Sequence, residues 1–310
     1  MTVLILTCEE DLTADMVVAR LHELGVPLIR LDPADFPGEV ALSAEYVKGD
    51  FEGYLKAGER MVSLSSLRSV WVRRPDTPGA HAPEPSAWLT GESEHALYGV
   101  LDCTRARWMN HPAAAARARR KPWQLRTAHH SGFAVPPTVI TSFPGVAREF
   151  ARTYQDVVVK SVSGKHPSDP PMVLPTTRIT PDVDFSGVAA GPTQLQVLIH
   201  KRADIRLTCV GGQLFAARKK SDPEEVDSRF TEHCLWEPTE VPDRIRHAVD
   251  AYMRSAHISY GAFDFAEDAD RTWWFLECNQ GGQFGFVQLD TDQPITQAVA
   301  SWLAAAPPPG

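Results

Sequence analysis

Runs of apolar residues and their spacing divide the chain into short strands and amphipathic helices. A β-branched apolar run predicts a strand at residues 3–7, helical spacing follows over 11–24, and a second strand is predicted at 26–31. This strand-helix-strand opening is typical of a parallel sheet. The first strand runs into Thr7-Cys8-Glu9-Glu10 and not into a glycine-rich loop, so a dinucleotide site is not expected there.

The same patterns predict the elements of the remaining chain. Strands are predicted at 40–55 (a pair), 70–74, 135–142, 156–160, 193–200, and as a hairpin of 204–209 with 213–217 around Gly211-Gly212; helices are predicted at 88–108, 113–120, 123–130, 146–154, 242–255 and 295–303. Residues 163–192 are rich in Pro, Gly, Ser and Asp, which predicts a mobile loop and a candidate lid. Residues 221–240 are polar and loop-like.

A second hairpin is predicted in the stretch GAFDFAEDADRTWWFLECNQGGQ at 261–283. Two apolar runs, 262–266 and 273–278, flank an acidic turn. A register centred between residues 270 and 271 places Asp264 opposite Glu277, and Asn279 shares their face because side chains alternate along a strand. Two opposed carboxylates repel unless a cation lies between them, and an oxygen-only set of Asp, Glu and Asn suits Mg²⁺ held together with phosphates. The alternative is a solvated edge hairpin.

Composition describes a globular chain without secretion or metal-thiolate signals. The 310 residues are 43% hydrophobic, and 39 acidic against 31 basic residues give a net charge of −8, which argues against general nucleic-acid binding. The short run 3–6 is too brief for a signal peptide, and no run approaches membrane-spanning length. Five scattered cysteines without CxxC spacing predict a reducing, cytoplasmic location and no zinc site.

Basic residues occur at several strand and helix ends. Lys160 closes a short buried strand before Ser161 and a glycine-containing turn, where a lysine can neutralise phosphate, although the P-loop motif is absent. The cluster of Arg117, Arg119, Arg120 and Lys121 is either a solvated face or a phosphate clamp. Arg73 and Arg74 could bind an anion or simply end a strand in solvent.

Six segments, in order along the chain, resemble one family. They are VWVRRP at 70–75, MNHP at 109–112, KPWQL at 121–125, PPTVIT at 136–141, DIRLTCVGGQLFAA at 204–217 and LECNQGGQ at 276–283. They resemble the ATP-grasp superfamily, and within it the ATP-grasp ribosomal peptide maturases, the macrocyclising peptide ligases of the graspetide or microviridin type. The resemblance implies an α/β (α+β) fold with an N-terminal, Rossmann-like pre-ATP-grasp domain at 1–108, a central ATP-grasp subdomain at 109–192 and a C-terminal subdomain with the metal site at 193–310.

The resemblance also implies a nucleotide site. Its residues would be the phosphate-binding Lys121 and Lys160, together with the backbone that meets the adenine edge at Gln196, Val197 and Leu198. Relatives often have a ribose-binding glutamate where this chain has His200, which puts that ribose contact in doubt.

The resemblance also implies which residues would bind the metal and the transferred phosphoryl group. Asp264, Glu277 and Asn279 would hold Mg²⁺, with two ions expected. Arg206 and Arg229 would stabilise the transferred phosphoryl group or the acyl phosphate. The usual Asn-Pro after the metal glutamate is Asn279-Gln280 here, which removes no ligand.

The implied activity is ATP-dependent macrocyclisation of a ribosomal precursor peptide with leader and core segments. Carboxylates of Asp or Glu side chains would become acyl phosphates and condense with Thr or Ser hydroxyls or Lys amines. The leader is expected to dock on the enzyme, with 163–192 and 218–240 as candidate surfaces, and a homodimer is the expected assembly. One rival is an ATP-grasp ligase that adds a free amino acid to a carboxylate, and another is a non-catalytic nucleotide- or peptide-binding module.

Overall fold

The opening strand-helix-strand unit forms where the sequence predicts it. In this computed structural model, which describes residues 1–163, 174–221, 226 and 235–306, strand β1 (Thr2–Thr7) leads into helix α1 (Leu12–Glu23). Asp11 caps that helix, since its Oδ1 accepts the N–H groups of Thr13 and Ala14 at 3.2 Å. Strand β2 (Leu28–Leu31) then pairs parallel with β1.

An antiparallel three-stranded sheet is inserted before the parallel sheet continues. Its strands are β3 (Val40–Val47), β4 (Asp50–Ala57) and β5 (Arg60–Ser63). The parallel sheet is completed by β6 (Leu67–Arg74), helix α2 (Ala87–Asp102) and β7 (Arg107–Met109), and its strand order is β2-β1-β6-β7.

The prediction of one helix over 88–108 is wrong in its last third. Helix α2 stops at Asp102, where Cys103 N–H donates to Val100 and the Thr104 hydroxyl donates to Leu101 O at 2.7 Å. Trp108 then pairs with Val70 in the parallel ladder. The apolar residues at the end of the stretch therefore belong to an edge strand of the sheet, which local spacing could not reveal.

The central part of the chain forms a small antiparallel sheet. Helices α3 (Pro112–Ala118) and α4 (Lys121–His130) precede it, and α5 (Pro144–Tyr154) packs on it. Its strands are β8 (Thr138–Thr141), β9 (Val157–Lys160), β10 (Thr177–Ile179) and β11 (Thr193–Val197), in the order β10-β9-β11-β8.

The predicted mobile loop at 163–192 is partly structured. Strand β10 and a 3-10 turn at Ser186–Ala190 lie within it, and Phe185 and Val188 are buried against α5 and the sheet. These two apolar residues anchor this part of the stretch to the central sheet. Residues 164–173 of the predicted loop lie outside the described residues.

The largest sheet lies near the C-terminal end and carries both predicted hairpins. It contains β12 (Ala203–Val210), β13 (Gln213–Lys220), β14 (Glu237–Pro238), β15 (Tyr260–Glu267) and β16 (Trp273–Asn279), in the antiparallel order β14-β13-β12-β15-β16. Gly211 and Gly212 close the β12–β13 hairpin with φ of 55° and 91°, as a two-residue turn of this hand requires. Helix α6 (Asp243–Ala256) packs on one face.

Two helices tie this sheet to the N-terminal one. Helix α7 (Gly285–Thr291), which the sequence patterns did not predict, and helix α8 (Ile295–Ala304) share one core with α1 and β1. The Ser69 hydroxyl of β6 donates to Leu303 O at 2.8 Å, and the Arg107 guanidinium lies 3.9 Å from the centre of the Trp302 ring. Within the described ranges, no helix is long and apolar enough to span a membrane.

Candidate active site

The two faces of the C-terminal sheet differ in chemistry because side chains alternate along each strand. One face buries an aromatic cluster under α6: Tyr252, Phe263, Phe265, Phe275 and, from the loop after α4, Phe133. The opposite face carries Arg206 on β12, Asp264 on β15 and Glu277 on β16, side by side across three strands.

The strand register confirms the predicted pairing of the two carboxylates. Asp264 lies opposite Glu277, and Ala262 lies opposite Asn279. Nearer the turn the register differs by one residue, since Phe265 pairs with Phe275, so Leu276 is the extra residue of a bulge. The bulge brings Glu277 opposite Asp264; a hairpin that kept the turn-side register throughout would place Leu276 there.

A guanidinium provides the positive charge beside these carboxylates. Nη1 of Arg206 donates to both carboxylate oxygens of Asp264 at 2.8 Å, and its Nη2 donates to Gln283 O at 2.9 Å. Burial raises the pKa of Asp264 above its usual value, Arg206 opposes this rise, and the neighbouring charge of Glu277 adds to it. The site therefore favours additional positive charge.

The donor set fits a hard cation that keeps substrate oxygens as ligands. Among the described residues, no group of three or more His, Cys, Asp or Glu side chains converges as a complete metal cage. Asp264 and Glu277 are half-buried and Asn279 is exposed, so the three side chains present oxygens at an accessible edge. Such a partial set suits Mg²⁺ bound through one or two carboxylates and substrate phosphates.

The two predicted phosphate lysines meet at the end of β9. Nζ of Lys121 donates to Ser161 O at 2.8 Å, directly after Lys160 in the chain. Nζ of Lys160 donates to Oε1 of Gln196 at 2.8 Å, and the Gln196 amide in turn donates to the Thr138 hydroxyl at 2.9 Å. Lys121 therefore contacts the residue next to Lys160, and Lys160 contacts Gln196; we call these three residues the lysine group.

Helix α4 connects this lysine group to the carboxylates. Gln124 lies one turn after Lys121 on the same face of the helix. Its side-chain amide donates to Cys278 O at 2.9 Å and accepts from Cys278 N–H at 3.0 Å. Cys278 stands between Glu277 and Asn279, so the helix that carries Lys121 is bonded directly to the strand that carries two candidate metal ligands.

The predicted adenine stretch has some of its backbone groups engaged. Val197 N–H donates to Pro137 O and Leu198 N–H donates to Asp156 O, each at 3.0 Å. An adenine edge here would have to be met by carbonyl oxygens and by residues beyond Leu198. His200 stands where relatives often have a ribose-binding glutamate. It is exposed, and its Nε2 lies 3.1 Å from Oδ2 of Asp156.

The other basic residues differ in their solvent exposure. Arg117, Arg119 and Arg120 are exposed, which favours the solvated-face alternative for them, whereas Lys121 is half-buried. Arg74 is exposed but Arg73 is only 5% exposed. Arg229, the second predicted phosphoryl-binding arginine, lies outside the described residues.

Sequence reasoning missed the buried polar residues that hold these groups. Asn110 makes four hydrogen bonds, to the backbone of Ser259, Tyr260 and Gln280, at 2.8–3.0 Å. Asp204 lies on the same face of β12 as Arg206. Lys201 is buried beside it, with Nζ 2.8 and 2.9 Å from the two carboxylate oxygens of Asp204. The available signals were the alternation of Asp204 with Arg206 and the family segment MNHP at 109–112; neither marked Asn110 or Lys201 as buried.

Comparison with known proteins gives a consistent assignment. Residues 2–116 match the family model of the MvdD pre-ATP grasp domain. No curated protein sequence matches the chain significantly. The chain is structurally similar to macrocyclase MdnC from Microcystis aeruginosa MRC, solved with the precursor peptide MdnA, with 27% identity, a TM-score of 0.86 and coverage of 98% of this chain and 99% of that one.

Two further structures are similar over almost their whole length. The Chryseobacterium gregarium RiPP-associated ATP-grasp ligase, solved with ADP and a leader and core peptide, has 26% identity and a TM-score of 0.84, and the match covers 97% of this chain and 96% of that one. Macrocyclase MdnB from Microcystis aeruginosa MRC has 28% identity and a TM-score of 0.80, with coverage of 97% and 98%. Together with the family match over residues 2–116 and the α/β architecture, these likenesses support an ATP-grasp peptide maturase.

Proposed function

We propose that this protein closes rings in a ribosomally made precursor peptide with ATP as the activating substrate. Asp or Glu side chains of the peptide would be linked to Thr or Ser hydroxyls as ω-esters, or to Lys amines as ω-amides. The observation that carries the proposal is the polar face on which Arg206, Asp264 and Glu277 lie in one row. Similarity over nearly the whole chain to two macrocyclases supports the choice of a peptide substrate.

The chemistry explains why such a site needs so much positive charge. A carboxylate does not acylate an alcohol or amine at neutral pH, so its oxygen first attacks the γ-phosphorus of ATP and ADP leaves. The hydroxyl or amine then attacks the acyl carbon, loses its proton, and phosphate leaves with the electron pair of the C–O bond. The protein's contribution is mainly positioning and charge neutralisation.

The described residues supply this charge from two sides. We assign Lys121 and Lys160 to the phosphates of ATP, because Lys160 is the last residue of β9 and the Lys121 amine contacts Ser161, which follows it. We assign Arg206 to the transferred phosphoryl group or the acyl phosphate, since it is fixed by Asp264 and Gln283. Arg229 is proposed for the same role from the sequence alone.

Mg²⁺ would be held by Asp264, Glu277 and Asn279, and two ions are proposed. When bound, the metal neutralises the phosphates and polarises the γ-phosphoryl group. Because Arg206 already pairs with Asp264, the guanidinium and the metal would share this carboxylate. The adenine stretch Gln196, Val197 and Leu198, the division into 1–108, 109–192 and 193–310, the homodimer and the cytoplasmic location stay predictions from the sequence.

Intact-mass spectrometry of a precursor tests the function. A candidate peptide from a small reading frame beside this gene is incubated with the enzyme, ATP and Mg²⁺. Loss of one water for each ring, accompanied by ADP formation, is expected; methanolysis then distinguishes esters, which open, from amides, which resist. An Asp264→Asn enzyme, which is expected to retain the fold, serves as the control.

Two other results would contradict the proposal. A gain of an amino-acid mass in the presence of free amino acids would assign the protein to the ligases that extend a carboxylate. Nucleotide binding without ADP formation with every candidate peptide would support a non-catalytic module.

A further inference from the structure

Four consecutive carbonyl oxygens directly after β16 are each held by a buried side chain from a different part of the chain. The segment is residues 280–283, which we call the exit loop. The donors and their acceptors are Asn110 to Gln280 O at 2.9 Å, Arg73 to Gly281 O, the Tyr260 hydroxyl to Gly282 O at 2.7 Å, and Arg206 to Gln283 O at 2.9 Å. Short connecting segments rarely have every carbonyl fixed in this way, because most face water.

The exit loop also fixes a candidate metal ligand. Gly281 N–H donates to Oδ1 of Asn279 at 3.0 Å, so the residue whose carbonyl is held by Arg73 orients the oxygen of Asn279. At its other end the loop holds Arg206 through Gln283. A displacement of the loop would therefore move a metal ligand and the phosphoryl-binding guanidinium together.

Close packing leaves the exit loop little freedom to adjust. A Cβ atom added at Gly282 would lie 2.6 Å from Ala262 Cβ and 2.7 Å from Arg206 Nη2. One added at Gly281 would lie 3.1 Å from the carbonyl oxygen of Arg73. The backbone thus approaches both arginines as closely as glycine permits.

Arg73 belongs to the N-terminal sheet and is kept charged inside the protein. It is the penultimate residue of β6 and is 5% exposed, and its Nε lies 3.4 Å from Oδ2 of Asp11, the residue that caps α1. Burial lowers the pKa of Arg73 and the carboxylate of Asp11 opposes this effect. Within the described part of the chain, its Nε and Nη2 make no hydrogen bond. A buried charge with an incomplete set of partners lowers stability, so the packing of the core does not account for it.

We propose that Arg73 of the N-terminal sheet and Tyr260 at the start of β15 are positioning residues that together set the geometry of the magnesium and phosphoryl groups. They do so by holding the exit loop, and the inference rests on the metal assignment in the proposed function. The N-terminal sheet is then a working part of the catalytic centre as well as a support for the rest of the fold.

The test measures the Mg²⁺ dependence of nucleotide binding, which requires no peptide and no turnover. Binding of a non-hydrolysable ATP analogue is followed by calorimetry with increasing Mg²⁺ for the wild type, Arg73→Lys and Tyr260→Phe. We expect the wild type to bind more tightly as Mg²⁺ rises. In both variants the Mg²⁺ concentration that gives half of the increase in nucleotide affinity should rise. For Arg73→Lys we expect a rise of about 10–100-fold, as is usual when a group that orients a metal ligand is changed. Affinity without Mg²⁺ should stay within about twofold of the wild type, because the lysine group is untouched.

Two matched variants separate positioning from general stability. Tyr260→Phe removes only the hydroxyl that donates to Gly282 and keeps the ring, so it is expected to fold even if Arg73→Lys does not. Arg74→Lys makes the same chemical change at the exposed neighbour on the strand and should leave the Mg²⁺ dependence unchanged.

The inference is overturned if folded Tyr260→Phe or Arg73→Lys protein shows the wild-type Mg²⁺ dependence. It is also overturned if the wild type itself binds nucleotide independently of Mg²⁺. A different result would contradict only the proposed substrate. In that case the wild type binds nucleotide in a Mg²⁺-dependent way and both variants need more Mg²⁺, but the wild type modifies no peptide.

Discussion

The two faces of the C-terminal sheet are built from the same strands yet have opposite properties. Phe263 and Phe265 point into an aromatic core, while Asp264 between them points to the row of charges. The aromatic face gains stability from buried apolar area and ring contacts. The charged face includes a buried guanidinium and two opposed carboxylates, which cost desolvation energy and repel each other. The destabilising charges lie on the face to which we assign the chemistry, and the stabilising apolar contacts lie on the other. Substitutions on the two faces are therefore expected to have separable effects.

The largest effect is expected on the charged face. Asp264→Asn removes one carboxylate charge but keeps an oxygen that can accept from Arg206, so the fold should survive. Peptide-dependent ADP formation should fall by about 10³-fold or more, since a bound metal contributes several kcal/mol to charge stabilisation. The measurement is ADP release together with the thermal midpoint.

Asp270→Asn is the matched control, because Asp270 is an exposed carboxylate in the turn of the same hairpin. It should change neither quantity. Normal turnover by folded Asp264→Asn protein would remove Asp264 from the metal site.

A smaller effect is expected for Lys160→Met on the central sheet, because this change removes one phosphate-binding amine and no proposed metal ligand. The loss of a charged donor to phosphate corresponds to about 1.5–3 kcal/mol, or about a 10–100-fold higher apparent KM for ATP. Steady-state kinetics with varied ATP measures it. Lys56→Met, at an exposed lysine of β4, provides the control. A fall in kcat at unchanged KM would instead place Lys160 with the transition-state groups of the C-terminal sheet.

On the aromatic face the effect should appear in stability and not in turnover. Phe265 is 1% exposed, and its ring centre lies 5.4 Å from that of Phe133 and 5.6 Å from that of Trp273. Phe265→Leu should lower the free energy of unfolding by about 1–2 kcal/mol, measured by urea denaturation, with kcat per folded molecule within about twofold.

The exposed Phe143 offers the corresponding control, since Phe143→Leu should not change stability. A large loss of turnover in folded Phe265→Leu protein would show that the two faces are not independent.

The smallest effect concerns the thiols under the aromatic face. Burial raises the pKa of Cys209 to about 11, so at pH 8 this group stays protonated and unreactive. Iodoacetamide at pH 8, followed by peptide mass mapping, should label the exposed Cys103 and leave Cys209 unmodified in the native protein. Equal labelling rates at the two positions would mean that the aromatic face opens readily.

The sequence was informative where a local pattern determines the structure. Period-two alternation predicted both hairpins and the shared face of Asp264, Glu277 and Asn279, and the order of motifs indicated the fold family. The lysine group could be predicted only in part, since the hydrogen bonds of Lys121 and Lys160 to Ser161 and Gln196 depend on how the elements pack.

Features that depend on tertiary packing were missed or wrong. The predicted register is correct at Asp264 and Glu277, but the bulge between them and the turn was not predicted. Strand β7 was assigned to a helix because its partner, β6, lies more than thirty residues earlier. For Arg73 the sequence left an anion site and a solvated strand end as alternatives, and its burial was missed because its partners, Asp11 and Gly281, are distant in sequence.

The shared core of β1, α1 and α8 has a consequence for the order in which the protein can be completed during synthesis. Val3, Ile5 and Val17 share one core with Ile295 and Val299 of α8, which is synthesised almost 280 residues after Val17. Until then this side of the N-terminal sheet presents apolar surface to the cell. The N-terminal sheet is therefore expected to complete its core late, when α8 docks.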